Sequence, residues 1–253
     1  MRRISILNQK GGCGKTSITL AVASALGIAG KKVLVVDCDP QGNASAAMGI
    51  DPSKFSTGDL LMKQCSATDA IQPTAWKNVS AIAANRDLAT VALKLEAQFG
   101  RETRLSKALQ DITGFDFLFI DPPPTLTLLS ISALVSVQYV FTPVMPCIFG
   151  VHGIGKVRQT IDEVRNDLGA DVLFAGVILN RWDKTKLSRD IDAELAKEMP
   201  GMIFGRIPAS VKISEANDRG IPAIVHAGDS NLSTSIIKLS KGIDQWTINQ
   251  AAA

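Results

Sequence analysis

Residues 4–17 read Ile4-Ser5-Ile6-Leu7-Asn8-Gln9-Lys10-Gly11-Gly12-Cys13-Gly14-Lys15-Thr16-Ser17, and the helical pattern Ile18-Thr19-Leu20-Ala21-Val22-Ala23-Ser24-Ala25-Leu26 follows. A short apolar strand, a glycine loop and a helix form the context of a phosphate-binding P-loop. Glycines let successive backbone N–H groups turn inward around phosphate oxygens. The helix N-terminus adds its positive dipole end. In this reading the cradle runs through Gly11, Gly12, Cys13, Gly14 and Ser17. Lys15 reaches the β- and γ-phosphates, and the Thr16 hydroxyl ligates Mg²⁺. A glycine turn before an ordinary helix is the simpler alternative, but it leaves Gly-Lys-Thr at the strand–helix junction unexplained.

The general P-loop pattern asks for glycine at position 9. Gln9 stands there instead, and Lys10 opens the loop. Lys10-Gly11-Gly12-Cys13-Gly14-Lys15-Thr16 resembles the deviant Walker A motif of the ParA/MinD family of ATPases. The resemblance implies ATP as nucleotide and a catalytic role for Lys10, which crosses a dimer interface to the other subunit's nucleotide. Without that role Lys10 is a solvated surface lysine.

Composition suits one domain over residues 1–253. The chain is 46% hydrophobic and 20% charged, enough for a sizeable core. A net charge of +3 neither demands nor excludes nucleic acid. Cys13, Cys38, Cys65 and Cys147 show no metal-ligand spacing and read as reduced thiols of a cytoplasmic protein. The Met1-Arg2-Arg3 start leads into a strand and does not read as a targeting segment.

Apolar strands are expected at 2–8, 32–36, 79–83, 115–121, 138–144, 172–179 and 202–207. Helices are expected at 14–26, 126–135, 150–168, 183–199 and 233–246, with shorter ones around 45–50, 88–95 and 105–112. Residues 51–74 read as turn-rich. This alternation predicts an α/β fold, a doubly wound, mostly parallel sheet flanked by helices, of P-loop NTPase type. Ligands of such sheets collect at the carboxyl ends of the strands. Four polar landmarks fall there: the P-loop, Asp37 with Asp39, Asp121, and Asn180.

Asp121 ends an apolar run as a Walker B acid does, placing it with Thr16 and Asp39 as metal-site candidates. Asp37-Cys38-Asp39-Pro40-Gln41 resembles the family's switch segment. The resemblance implies that Asp39 orients the attacking water. Asp37 reads equally as metal support or as a helix cap. The resemblance also assigns adenine contact to Asn180 and to the Ile207-Pro208-Ala209-Ser210 loop, hence Pro208 and Ser210. An amide can donate to and accept from a purine edge. Further matches to the ParA branch are Gln41-Gly42-Asn43, Leu187-Ser188-Arg189 and Ser210-Val211-Lys212-Ile213-Ser214-Glu215-Ala216.

The family's short ParA members imply an ATP-dependent homodimer, non-specific duplex DNA, a ParB-like activating adaptor and a nucleoid-associated location. Candidate DNA contacts are Lys184, Lys186, Arg189 and Lys212. The first three crowd the start of the helix expected at 183–199, against the dipole preference for acids there. A phosphate contact and a solvated charged face both account for them. Two other functions compete. A MinD-type positioning ATPase would attach to a membrane through an amphipathic helix, for which Leu232, Ile236, Ile237, Leu239, Ile243 and Trp246 are the candidates, although a closing helix packed on the sheet fits them better. A P-loop metal-cluster carrier or metabolic ATPase would need paired cysteines, which Cys147 alone does not supply.

Overall fold

The computed structural model describes residues 1–252, with side chains for all of these except 148–152 and 252. The chain runs β1 (Arg2–Ile6), α1 (Lys15–Ile28), β2 (Val33–Asp37), α2 (Asn43–Met48), α3 (Thr57–Leu61), α4 (Ala67–Ala70), β3 (Gln72–Pro73), β4 (Val79–Ile82) and α5 (Asp87–Leu95). A 3₁₀ turn (Arg101–Thr103) and α6 (Arg104–Ala108) lead to β5 (Phe117–Asp121), α7 (Leu128–Val135), β6 (Tyr139–Val144) and α8 (Ile148–Leu168). Then come β7 (Leu173–Trp182), α9 (Lys186–Glu198), β8 (Ile203–Pro208), α10 (Lys212–Asp218), α11 (Ala223–Ala227) and α12 (Asn231–Ala252).

The eight strands form one sheet in the order β3-β4-β2-β5-β1-β6-β7-β8. Every pairing is parallel except β3 against β4. The central strands are apolar on both faces because both faces are covered. Val33 to Val36 and Phe117 to Ile120 are all 0% exposed. One core lies beneath α1, α2, α10, α11 and α12, and a second beneath α3, α5, α6, α7 and α8. A smaller cluster joins α8 and α9 to β6 and β7. The chain leaves β1 toward β2 on one side and later returns to build β6, β7 and β8 on the other. This reversal opens a crevice above the carboxyl end of β1.

Three differences from the sequence expectation bear on the site. Strand β7 does not stop at Asn180 but continues to Trp182, with a register shift between Asn180 and Trp182 where Arg181 takes φ 54°. Helix α9 starts at Lys186, not at 183. Residues 212–218 and 223–227, given no element from the sequence, are α10 and α11.

Helix α12 closes the molecule. Leu232, Ile236, Leu239 and Ile243 are buried in the core it shares with α1 and β8. Trp246 meets Tyr139, Phe141 and Phe204 edge-on, with ring centroids 5.2, 5.8 and 5.4 Å away. The apolar stripe considered as a membrane anchor is thus occupied by the sheet, with Ile237 outside it at 41% exposure. No helix among the described residues is long and apolar enough to cross a membrane. Aromatic packing of this kind adds to simple burial. Trp246→Ala should therefore lower unfolding free energy by about 3 kcal/mol. Urea denaturation followed by circular dichroism measures it, and a loss below about 1 kcal/mol would mean that α12 is not anchored there.

Candidate active site

The P-loop turns as its glycines predict. Gly12 takes φ 72° and Gly14 φ 96°, a region that side chains resist. Gly14 has a second reason to lack a Cβ, which would stand 2.2 Å from Asn180 Nδ2. That amide donates to Cys13 O at 2.7 Å and pins the loop to the end of β7. Gly11 and Gly12 are exposed, so their backbone faces the crevice. The Cys13 side chain is 1% exposed, and burial pushes its thiol up. Only the backbone of Cys13 is left to serve a ligand. Lys15 follows, 7% exposed, at the first position of α1.

Thr16 Oγ1 donates to Asp121 Oδ2 at 2.7 Å. Asp121 Oδ1 is buried and, among the described residues, has no hydrogen-bond partner. Its strand partner in register is Asp37, so two buried carboxyls stand on adjacent strands. Burial pushes Asp121 up to about 8, and the nearby Asp37 adds to the rise, while the Thr16 hydroxyl and Lys15 oppose it. Burial likewise pushes Asp37 to about 6 against the bonds it accepts from Ser45 and from the Asp39 amide. An orphaned, buried carboxylate oxygen beside a threonine hydroxyl is a hard-oxygen donor set, and it fits a small divalent cation.

Asp37 accepts three hydrogen bonds. Its Oδ1 accepts from Asp39 N at 3.0 Å, and its Oδ2 accepts from Ser45 N at 2.8 Å and Ser45 Oγ at 2.7 Å. Ser45 lies in the first turn of α2, whose N-cap Gly42 offers no side chain. Asp37 thus caps α2 from the end of β2 and holds the intervening turn. Asp39, 8% exposed, accepts from Gln41 N through Oδ1 at 2.9 Å. Its Oδ2 has no hydrogen-bond partner among the described residues. A cleft of about 500 Å³ runs beside Thr16 and Ser17, between α2 and α10, to Asn217 and Asp218.

The structure therefore gathers Gly11, Gly12, Cys13, Gly14, Lys15, Thr16, Ser17, Asp39, Asp121 and Asn180 around one crevice. Lys10 sits at its edge, half-buried, with Nζ 3.9 Å from Cys147 Sγ. Pro208 pairs with Trp182 at the neighbouring strand end, and Ser210 Oγ accepts from Lys212 N at 3.2 Å. The contacts of Asn8, Ser45 and Asn180 with the loop and the switch turn have no sequence-local signal.

The basic candidates are all exposed, but the helix-dipole argument for them needs correction. Lys184 precedes α9. Asp183, expected inside the helix, sits just before it and accepts from Thr185 Oγ1 at 2.6 Å as well as from Ser188 Oγ. Thr185 caps α9 by accepting from Ser188 N. A carboxylate at that end offsets the cost of Lys186. Arg206, on β8, is engaged bidentately by Asp192. Lys212 Nζ reaches Ala227 O at 3.4 Å. His226 Nε2 lies 2.8 Å from Glu215 Oε2.

A family model described as an AAA domain matches residues 1–173. The sporulation initiation inhibitor protein Soj of Bacillus subtilis is 33% identical over 245 residues, 95% of this chain and 97% of Soj. The chain belongs to the Soj/ParA family of partitioning ATPases. Among solved structures, MinD of Pyrococcus horikoshii, complexed with Mg-ADP, is 28% identical with a TM-score of 0.79, covering 97% of each chain. McdA of Cyanothece, in an ATP complex, shares the fold with a TM-score of 0.87 at 23% identity, covering 96% of each chain. The eight-stranded sheet of this Soj/ParA relative is thus the sheet of the P-loop NTPases.

The raised Asp121 carboxyl has a measurable consequence. An ordinary carboxyl titrates near 3.8, and this one near 8 when folded. Between those values the folded state holds a proton that the unfolded state has lost, so stability falls as pH rises through the window. Asp121→Asn removes that dependence. Without nucleotide or Mg²⁺, the variant should melt several degrees above the parent at pH 8 and close to it at pH 4. At this chain length each kcal/mol moves Tm by roughly 2–4 °C. Parallel melting curves at all pH values would show that Asp121 is not held protonated.

Proposed function

We propose that the chain is a Mg²⁺-dependent ATPase that acts as one domain over residues 1–253 and hydrolyses ATP to ADP and phosphate. ATP closes a sandwich homodimer in which Lys10 of each subunit reaches the other's phosphates. The dimer binds duplex DNA without sequence preference, which places it on the nucleoid. A ParB-like adaptor stimulates hydrolysis, and the cycle positions or segregates a cargo: a plasmid, a chromosome origin or a protein assembly.

The observation that carries the ATPase reading is the Thr16–Asp121 pair at the mouth of a glycine cradle, with one carboxyl oxygen unpartnered among the described residues. Thr16, Asp121 and Asp39 are the residues that would hold Mg²⁺, whose bound charge neutralises the β- and γ-phosphate oxygens. Lys15 supplies the fixed positive charge at the base of the cradle. The free Oδ2 of Asp39 orients the attacking water, a task of position rather than basicity. Asn180, with its Nδ2 committed to the loop, keeps Oδ1 to accept from the adenine amino group. Pro208 offers an apolar face to the ring, with Ser210 beside it. Partitioning relatives and the occupied inner face of α12 support this reading over a membrane-bound one.

Asp39→Ala should bind ATP within about threefold of the parent and still dimerise, while turnover falls at least 100-fold, since orientation of the nucleophile is lost. Single-turnover hydrolysis with light scattering on the same sample is the check. Turnover at the parent rate would remove Asp39 from the chemistry.

For DNA, Lys184→Glu combined with Lys186→Glu should weaken binding of the ATP-bound dimer at least tenfold and leave basal ATPase unchanged. Binding by the parent should fall steeply with salt and be indifferent to sequence, because phosphate contacts release counterions without reading bases. Fluorescence anisotropy on a random duplex, with ATP and with ADP, measures both. Equal affinity with the two nucleotides would contradict a DNA-gating dimer.

A further inference from the structure

A buried amide, Asn8, holds the start of the loop that opens on Lys10. Asn8 is 2% exposed. Its Nδ2 donates to Pro143 O at 2.7 Å, and its Oδ1 accepts from the backbone N–H of Lys10 at 3.0 Å. Pro143 is the penultimate residue of β6. Helix α8 closes the remaining side, where a Cβ on Gly153 would come within 3.3 Å of Asn8 Oδ1. The next two residues reach the same helix. Gln9 Nε2 donates to Thr160 Oγ1 at 3.2 Å, and Lys10 Nζ lies 3.9 Å from Cys147, the N-cap of α8.

We propose that Asn8 is the positioning residue for Lys10, fixing the root of that side chain relative to β6 and α8. The inference rests on the reading of Lys10 as the lysine that crosses to the other subunit's nucleotide. Asparagine is the residue this place requires. It must donate to a carbonyl and accept from an amide at once, which only a carboxamide of this length does here. Aspartate could accept from Lys10 but would set a second oxygen against Pro143 O. Glutamine adds a methylene where Gly153 leaves no room. Burial makes either lost bond expensive, because no water replaces it. Lysine carries a long, rotamer-rich side chain, so fixing its backbone root reduces the ordering left for dimer closure.

The test is a double-mutant cycle in the full chain with Mg²⁺ and a non-hydrolysable ATP analogue. Asn8→Ala should weaken analogue-dependent dimerisation at least tenfold by light scattering and change monomer affinity less than threefold. In nucleotide-free protein, the Lys10 amide should exchange its hydrogen at least tenfold faster by NMR. In a Lys10→Ala background, Asn8→Ala should cause no further loss of dimerisation. Where Asn8→Ala yields no folded protein, Gly153→Ala presses on the same amide from α8 and should give a smaller loss, again absent in the Lys10→Ala background. A full additional loss in that background would overturn the inference, since Asn8 would then act on the fold rather than through Lys10. Unchanged dimerisation in both variants would overturn it as well. If Lys10→Ala alone dimerises normally, the trans-acting reading of Lys10 fails and the inference falls with it.

Discussion

Two carboxyls buried side by side at the ends of β2 and β5 constrain the whole upper edge of the sheet. Asp37 and Asp121 are register partners, both 0% exposed. A buried carboxylate needs donors or a cation, and two adjacent ones need more. Each donor belongs to a different element. Thr16 brings the start of α1, Ser45 brings α2, and the Asp39 amide brings the switch turn. Satisfying the pair therefore assembles the site. The set is not complete, because among the described residues Asp121 Oδ1 has no partner. On the proposed reading that deficit is what favours a bound dication, and a site saturated by protein donors would have less use for one.

The fold brings these groups together because every pairing among β1, β2, β5 and β6 is parallel. Parallel strands end on the same edge, and the crossover helices return the chain to the opposite one. Residues far apart in sequence thus meet at one edge, where Asn8 bonds Pro143 across 135 positions and Asn180 bonds Cys13 across 167. The P-loop helix packs over β1, β2, β4 and β5. Its first residues face the crevice, and its buried face joins the core beneath α12.

What was legible in the sequence was what is local. Continuous apolar runs marked seven of the eight strands, and the glycine loop marked the site. Strand β3 escaped because it has two residues and lies antiparallel at the sheet edge, too short for any period. Helices α10 and α11 escaped because seven and five residues cannot display a helical repeat clearly, and packing against α1, α2 and α12 shapes them. The start of α9 was misplaced because Asp183 looked like a helix beginning. The signal for the true start was present in Thr185 and Ser188, a cap with its third-position amide. Asn8 and Ser45 were missed for a different reason, since nothing near an asparagine or a serine announces a partner on another strand.

The same strand ends link the two halves of the proposed function. Strand β7 passes from Asn180, which holds the loop, through Arg181 at φ 54° to Trp182. A non-glycine residue in that region is held there by its surroundings. Trp182 O accepts from Ala209 N at 3.3 Å, so the segment leading to Lys184 and Lys186 is tied to the one leading to Lys212. An adenine ring drawn against Asn180 and Pro208 would press on both segments at their roots. Differential contact of that kind is what coupling requires, since a ligand shifts an equilibrium only by as much as its affinities for the two states differ. The basic residues need not touch the nucleotide to respond to it. On the proposed reading they need only leave from strand ends that a bound nucleotide would hold in one arrangement, while a dimer would bring two such sets onto one duplex.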